Sequence, residues 1–588
     1  MAFEPVFFAL GLGGAAGLAL LSRRKDAGDA PATAWRGLAL AADGISAPFF
    51  LGIAGAVFTW GYDGLAFVLG LGAGFLLLQL LVAPMLPLAG ASSIPDYFAK
   101  RYGKTARVAA GFTVVLSMAL LLAAELMAAG LAGARLLQVG YGIGVAIAAI
   151  ALLLCFALRG REVAVRASAI LFIVLLVALL APLVHFSTSN YGVPIPQIAY
   201  SNSVWQIQSL EETLLEQDLA DPVVLKPLPR PFLTLSPLNF AGLVLALALG
   251  IASLPSLLSR HFMTPTVRDA RRSAMFALLF VTLLVTAAPA LAAYAKFSLL
   301  SLIGDRVAFS DLPAWMFHFG NLGLVDICGP AATDAAAVAK ACSELPDAPT
   351  MLRLQDMTLG PDMITLAAPE MIGFSETWAG VLAVAALAAA LVTADGPLAA
   401  IVDALGGGRD ASTESRWEHL AMATAAVAVA TFIAAARPAD MLTMATWALT
   451  LAAVGLFPAL FAGLWWRRAN APGAAAAITL GLAVAVTYIV ATHIFAVGFF
   501  DLFSSLSGAG QMAAETFGEL KQAWEAAAPG AAKDAAWAAL DQHAQSIANL
   551  WGIRNLATVV LALPVGIVAL VVVSLVTRRQ DPVQPRPH

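Results

Sequence analysis

Thirteen runs of roughly 20 apolar residues decide what this chain can become. They lie near 4–22, 38–60, 64–88, 108–136, 141–158, 167–186, 237–257, 274–300, 376–402, 417–436, 440–466, 472–498 and 551–576. Wound as a helix, a run of that length crosses the ~30 Å hydrocarbon layer of a bilayer. Composition agrees, because 60% of the 588 residues are hydrophobic and only 12% are charged. So few charges cannot cover the surface of a water-soluble chain this long. The sequence therefore predicts an all-α polytopic membrane protein with the lipid bilayer as its main partner. A net charge of −4 excludes a nucleic-acid partner, and three cysteines exclude a disulfide scaffold.

Charge placement orients the spans. The first run is preceded by Glu4 and followed by Arg23, Arg24 and Lys25. A signal peptide leads with positive charge, so this order predicts a retained anchor with its N-terminus outside. Counting from there, 22 of the 33 Lys and Arg residues fall in short cytoplasmic segments, among them Lys100, Arg101, Arg260, Arg271, Arg467 and Arg468. That bias predicts an inner-membrane protein, N-terminus out and C-terminus in. Three long segments, about 187–236, 301–375 and 499–550, then lie outside. The last reads as amphipathic surface helix carrying Trp524 and Trp537. Cys328 and Cys342 share the middle one, on the oxidising side, which predicts a disulfide between them.

Chemistry of the covalent kind has no foothold. The seven histidines show no metal-ligand spacing. Gly103-Lys104-Thr105 is not a phosphate loop, because Phe98 stands where its first glycine is required. The expected activity is passage of a solute, not an enzymatic reaction. Lacking an ATP site, such a carrier must draw on an ion gradient, and it binds ion and solute where membrane helices are broken. Two runs carry such breaks. The second holds Asp43, Gly44, Ser46 and Pro48, and the seventh holds Gly250, Ser253, Pro255 and Ser256. Five spans separate them, as a five-helix unit repeated with inverted topology requires.

Five motifs in register then resemble one family. They are Asp43-Gly44-Ile45-Ser46-Ala47 with Phe50-Leu51-Gly52-Ile53, then Gly61-Tyr62-Asp63-Gly64, then Ile94-Pro95-Asp96-Tyr97 with Arg101-Tyr102-Gly103. Leu254-Pro255 through Phe262 with Asp269-Ala270-Arg271-Arg272-Ser273 follows, and Leu391-Val392-Thr393-Ala394-Asp395 completes the set. Together they are similar to the sodium/solute symporters, closest to the cation/acetate (monocarboxylate) permease branch. The resemblance implies a LeuT-type 5+5 inverted-repeat core within about 13 transmembrane helices. Residues 1–37 would hold an extra N-terminal helix, 38–186 the first repeat, 187–236 an outside loop, and 237–466 the second repeat with outside loop 301–375. Residues 467–588 would add C-terminal helices around outside loop 499–550.

The resemblance also implies a sodium site between the first and eighth core helices. Carried over by position, its ligands are the carbonyls of Ala42, Ile45 and Ala389 and the hydroxyl of Thr393. Sodium is a hard cation that takes oxygen ligands, and an unwound helix frees carbonyls to supply them. Two departures thin the site. Val392 stands where the family often has a second hydroxyl, and Arg166-Ala167-Ser168-Ala169 lacks the carboxylate many members carry there. Such a site could bind sodium weakly, use protons, or draw on another acid. Asp43, Glu125 and Asp395 are the intramembrane candidates for coupling. Asp43 also fits as a cap on its broken helix, Glu125 as a protonated acid bonding two helices, and Asp395 as a group facing a water-filled vestibule. Ser46, Phe49, Phe50, Ser253 and Ser256 flank the breaks and are the expected solute contacts. Half-helix N-termini favour an anion, and the two phenylalanines suit a short alkyl tail or simply fill helix contacts.

The function expected is therefore sodium-coupled symport of a small organic anion such as acetate, by alternating access. The competing readings are a transporter-like sensor and a proton-coupled carrier, either one working with a separate small membrane subunit. A cysteine introduced at Ala411 tests the orientation. It is expected to react with an impermeant thiol reagent only from the cytoplasmic side; labelling from outside would invert the topology.

Overall fold

Glycine and buried charge position the helices of this chain. In the computed structural model, residues 33–577 are described apart from 160–164, 223, 263 and 407–415, together with residues 9 and 13. The expected span at 4–22 and the Ala411 loop thus lie outside the described residues. Ten helices among those described are long and apolar enough to cross a membrane, or eleven when the bent pair Met441–Gly455 and Phe457–Trp465 counts as one span. One of the ten, Thr33–Val82, runs for 50 residues. A straight helix of that length would reach about 75 Å, far beyond the hydrocarbon layer. It is two passes. A Cβ on Gly64 would stand 2.6 Å from the Cα of Val57, so the chain doubles back at the 3-10 turn Gly61–Gly64. The runs expected within the described residues are helical, some of them broken into two helices.

The first unit comprises α1 (Thr33–Trp60), α2 (Leu65–Leu77), α3 (Lys104–Leu137), α4 (Tyr141–Arg159) and α5 (Val165–Tyr191). Next come α6 (Pro237–Ala252) and α7 (Pro255–Phe262), the two halves of one broken span, and α8 (Val267–Gly304). The second unit continues with α9 (Glu376–Thr393), α10 (Asp395–Leu405), α11 (Arg416–Ala436), α12 (Met441–Gly455) and α13 (Phe457–Trp465). Two more spans, α14 (Ala471–Ile489) and α15 (Val559–Val576), follow and pack on each other. Packing obeys the exchange that a five-helix repeat demands. The first helix of the first unit lies along the second helix of the other (α1 on α8), and the reverse pair does the same (α6 on α2). Likewise α3 packs on α12 while its counterpart α9 packs on α5. This is the 5+5 architecture anticipated from the two broken spans.

Small residues let these backbones approach. A Cβ on Gly250 of α6 would stand 2.6 Å from the carbonyl oxygen of Leu449 in α12, and one on Gly74 would stand 2.7 Å from the Cβ of Ile251. With lipid as solvent, such close contact replaces the hydrophobic drive that packs soluble helices.

The segments between spans are tied down by buried charge. Asp63, fully buried in the turn after α1, accepts hydrogen bonds from the backbone N–H groups of Phe232, Thr234 and Leu235 at 2.7–2.8 Å. The helix Pro196–Glu216 lies along α8, where Glu211 pairs with Lys296 at 2.9 Å. In the segment 301–375, β1 (Val325–Ile327) pairs antiparallel with β2 (Met357–Leu359). Cys328 and Cys342 are joined there by the expected disulfide. Following β2, Pro361–Met371 packs on the C-terminal half of α1. Thr365 donates to the Leu51 carbonyl at 2.6 Å, and Gly55 leaves room for the Pro361 carbonyl. Glu370 pairs with Arg135 at the end of α3, 2.9 Å apart and buried. Burial, reinforced by the neighbouring Asp440 charge, pushes the Asp362 carboxyl well above the usual carboxylate range. The segment 499–550 folds into two helices, Gln511–Ala526 and Ala531–Ile547, with the Trp524 and Trp537 rings 5.0 Å apart between them.

Asp63→Ala would leave three backbone donors without their acceptor. Orphaning even one buried donor costs about 1–3 kcal/mol. A lower thermal midpoint is expected in detergent, with Asp63→Asn, which keeps one acceptor oxygen, falling between the two.

Candidate functional site

Serine 46 breaks α1. Its φ of 42° and ψ of 157° interrupt an otherwise continuous helix, two residues before Pro48. Such a break strips backbone groups of their helical partners, and in lipid each must find another. The N–H of Ala47 finds one on α3, donating to Oε2 of Glu125 at 3.3 Å. Thr393 of α9 donates to the same oxygen at 2.8 Å. One carboxyl oxygen, wholly buried, therefore joins the broken helix to the eighth core helix.

Beside this joint lies a cavity of about 20 Å³. It is lined from α1 by Ala42, Ile45, Ser46 and Ala47, from α5 by Ser168, Leu171, Phe172 and Leu175, and from α9 by Ala389, Val392 and Thr393. Space of that size holds one guest of about water's dimensions. All four residues expected to hold sodium, Ala42, Ile45, Ala389 and Thr393, stand around it. Ser46 stands there too, its buried hydroxyl beside the Glu125 carboxyl.

Other expected residues sit elsewhere. Asp43 is not among the residues that line the cavity. It forms an ion pair with Arg260 of α7, whose Nη2 lies 2.9 Å from Oδ1 and 3.4 Å from the Ser168 hydroxyl. Arg260 in turn is no loop charge, because only 10% of its side chain is exposed. Its reach corrects that reading: a long planar cation satisfies a carboxylate one helix away. Asp395 opens α10 and is buried at 4% exposure, so it does not face an open vestibule. Phe49 and Phe50 are packed inside the bundle and do not line the cavity. Ser253 spends its hydroxyl on the Leu249 carbonyl at 2.7 Å. Ser256 sits at the start of α7 against Gly396, its hydroxyl buried without a hydrogen bond.

Two residues of the site went unassigned in the sequence. Ser168 adds a polar wall where a carboxylate was missed, and Arg260 supplies the counter-charge to Asp43. Arg260's position within the run LVLALALGIASLPSLLSRHF was the available signal.

The model of the sodium:solute symporter family matches residues 28–311. An uncharacterized symporter of Cupriavidus necator is 27% identical over 658 aligned positions, covering 93% of this chain and 87% of that one. Over residues 28–311 the chain is thus similar to the sodium:solute symporter family. A Na+-coupled sialic acid symporter, solved in its substrate-bound outward-open state, superposes with a TM-score of 0.57 at 12% identity, over 98% of this chain and 99% of that one. At that identity the likeness is one of fold, and it agrees with the 5+5 helix exchange. The cavity between α1, α5 and α9 presents mainly apolar groups, with Ser46, Ser168 and Thr393 as the hydroxyl-bearing residues among those around it.

Thr393→Val deletes a hydroxyl shared by the cavity and Glu125 while keeping the side chain's shape. The sodium concentration that half-stabilises the purified protein against heat is expected to rise several-fold. An unchanged sodium response in folded protein would remove Thr393 from the site.

Proposed function

We propose that this protein couples sodium entry to the uptake of a small organic anion, acetate or a related monocarboxylate, by alternating access. The observation that carries the reading is the cavity beside Ser46. It is small, walled by the broken α1, by α5 and by α9, and has Thr393 and the break at Ser46 beside it. Sodium needs such oxygens and little else. Glu125 answers the departure from the family pattern, placing on α3 the carboxylate that the 166–169 stretch lacks.

An anionic solute suits the second break. The N-terminus of the outer half of α1 already meets a carboxylate, that of Glu125. The half-helix α7 begins at Pro255 beside α1, with the unspent Ser256 hydroxyl in its first turn. Helix N-termini carry partial positive charge and draw carboxylates. The acetate-branch motifs quoted above support a short monocarboxylate. In this reading the chain sits in the cell's inner membrane, N-terminus out and C-terminus in, with repeats at 38–186 and 237–466.

Uptake of labelled acetate into proteoliposomes tests it. An inward sodium gradient is expected to drive accumulation, which collapses when sodium is replaced by choline. Uptake that follows a proton gradient and ignores sodium would establish the proton-coupled carrier instead. No uptake of any short carboxylate under either gradient would favour the sensor.

A further inference from the structure

Between α14 and α15 the chain leaves the bundle and returns. A π-turn, Val490–Ile494, follows the end of α14, and the helix Ala496–Phe503 follows at once. With the turn that extends it, this apolar stretch ends at Leu506. It spans about 16 Å, roughly half the ~30 Å needed to cross a bilayer. The short helix is apolar on two sides. Ala496, Val497 and Phe500 are buried against the helices Gln511–Ala526 and Ala531–Ile547, with the Phe500 and Phe517 rings 4.7 Å apart. Helical spacing brings Phe495, Phe499 and Leu502 together on the opposite side. Among the described residues nothing covers that side: Phe495 is 65% exposed and Leu502 78%. The acid of this helix, Asp501, is turned from it and pairs with Lys521 at 2.6 Å.

We infer that Ala496–Phe503 is a membrane-surface anchor: it rests in the boundary of the bilayer on the side where α14 ends, with Phe495, Phe499 and Leu502 set among the lipids. Three observations carry it. The uncovered side continues the surface of a span that lipid already meets, because α14 exposes Leu480 and the turn after it exposes Ile494. The returning chain brings a boundary residue to the same place. Trp551 donates its N–H to the Leu506 carbonyl at 2.8 Å and leaves its ring exposed, shortly before α15 begins. Tryptophan collects where membrane meets water. Finally, the two longer helices that cover the other side of the anchor expose Glu515, Glu519, Glu525 and Asp534, as a part standing in water must. A second copy of the chain could also bury an apolar side, but it would have no need of continuity with a lipid-facing span. The small core shared by the anchor and these two helices is separate from that of the bundle. The anchor therefore ties a semi-independent unit to the membrane, with its apolar side about 5–10 Å into the headgroup and acyl boundary.

Depth-dependent fluorescence quenching in phosphatidylcholine nanodiscs tests this. Leu502→Cys is made in a Cys155→Ser background, since Cys328 and Cys342 are joined to each other, and is labelled with a small fluorescent dye. Glu519→Cys, on an exposed position of the neighbouring helix, carries the same dye as the water-facing control. Phosphatidylcholine bearing a nitroxide just below its headgroup is expected to quench the dye at 502 several-fold more than the dye at 519. It should also quench the dye at 502 more than a nitroxide at the end of the acyl chain does. Iodide in the buffer should show the reverse preference, quenching the dye at 519 several-fold more. Phe495→Cys is expected to behave as Leu502→Cys does, and it serves if that variant fails to fold. Iodide quenching at 502 equal to that at 519 would place the helix in water and overturn the inference. A dye at 502 shielded from iodide and from both lipid nitroxides would overturn it too, because protein and not lipid would then cover that side.

Discussion

Inside a bilayer, a helix can be interrupted only where other groups take over the backbone partners it gives up. The rest of this structure depends on that debt being met at Ser46. Glu125 meets it by accepting from Ala47. Doing so commits a carboxylate to the centre of the protein, and a carboxylate there needs donors. Thr393 is one of them. The break, the acid and the hydroxyl are thus consequences of one another, and the cavity is what remains between them once each is satisfied.

Charge elsewhere in the bundle follows the same economy. Asp43 and Arg260 neutralise each other between α1 and α7, near the inner side of the break. Arg135 and Glu370 do so beyond α3, as do Glu211 and Lys296 beside α8. Removing one partner of a buried pair costs about 3–5 kcal/mol, whereas the intact pair contributes little net stability. These pairs therefore fix which elements lie together more than they hold the fold up. The helices themselves are held by close approach at glycine, as at Gly250 against Leu449 and Gly74 against Ile251.

Much of this was legible in sequence because the solvent is so restrictive. Lipid permits few structures, so apolar runs map onto spans, and the 5+5 arrangement follows from where the two broken runs fall. Ala42, Ile45, Ala389 and Thr393, named from local motifs, do stand around one cavity. What could not be read was contact across the chain. Glu125 lies 78 residues from Ala47 and 268 from Thr393, and no spacing rule links them. Asp43 and Arg260 are 217 residues apart, so each looked like a separate feature, one a cap and the other a loop charge. Phe49 and Ser253 were expected at the solute because they flank breaks. Flanking a break does not make a side chain face a cavity, and here one is packed and the other bonded to its own helix.

The segment Pro361–Met371 is fastened at two places. Through Thr365 it holds the C-terminal half of α1, and through Glu370 it holds the end of α3. A strip anchored at both ends behaves as a tether of fixed length. Any outward swing of the half-helix away from α3 draws it taut, and the swing stops where the tether does unless one anchor lets go. The two contacts thus tie that half of α1 to the end of α3 through one short stretch of chain.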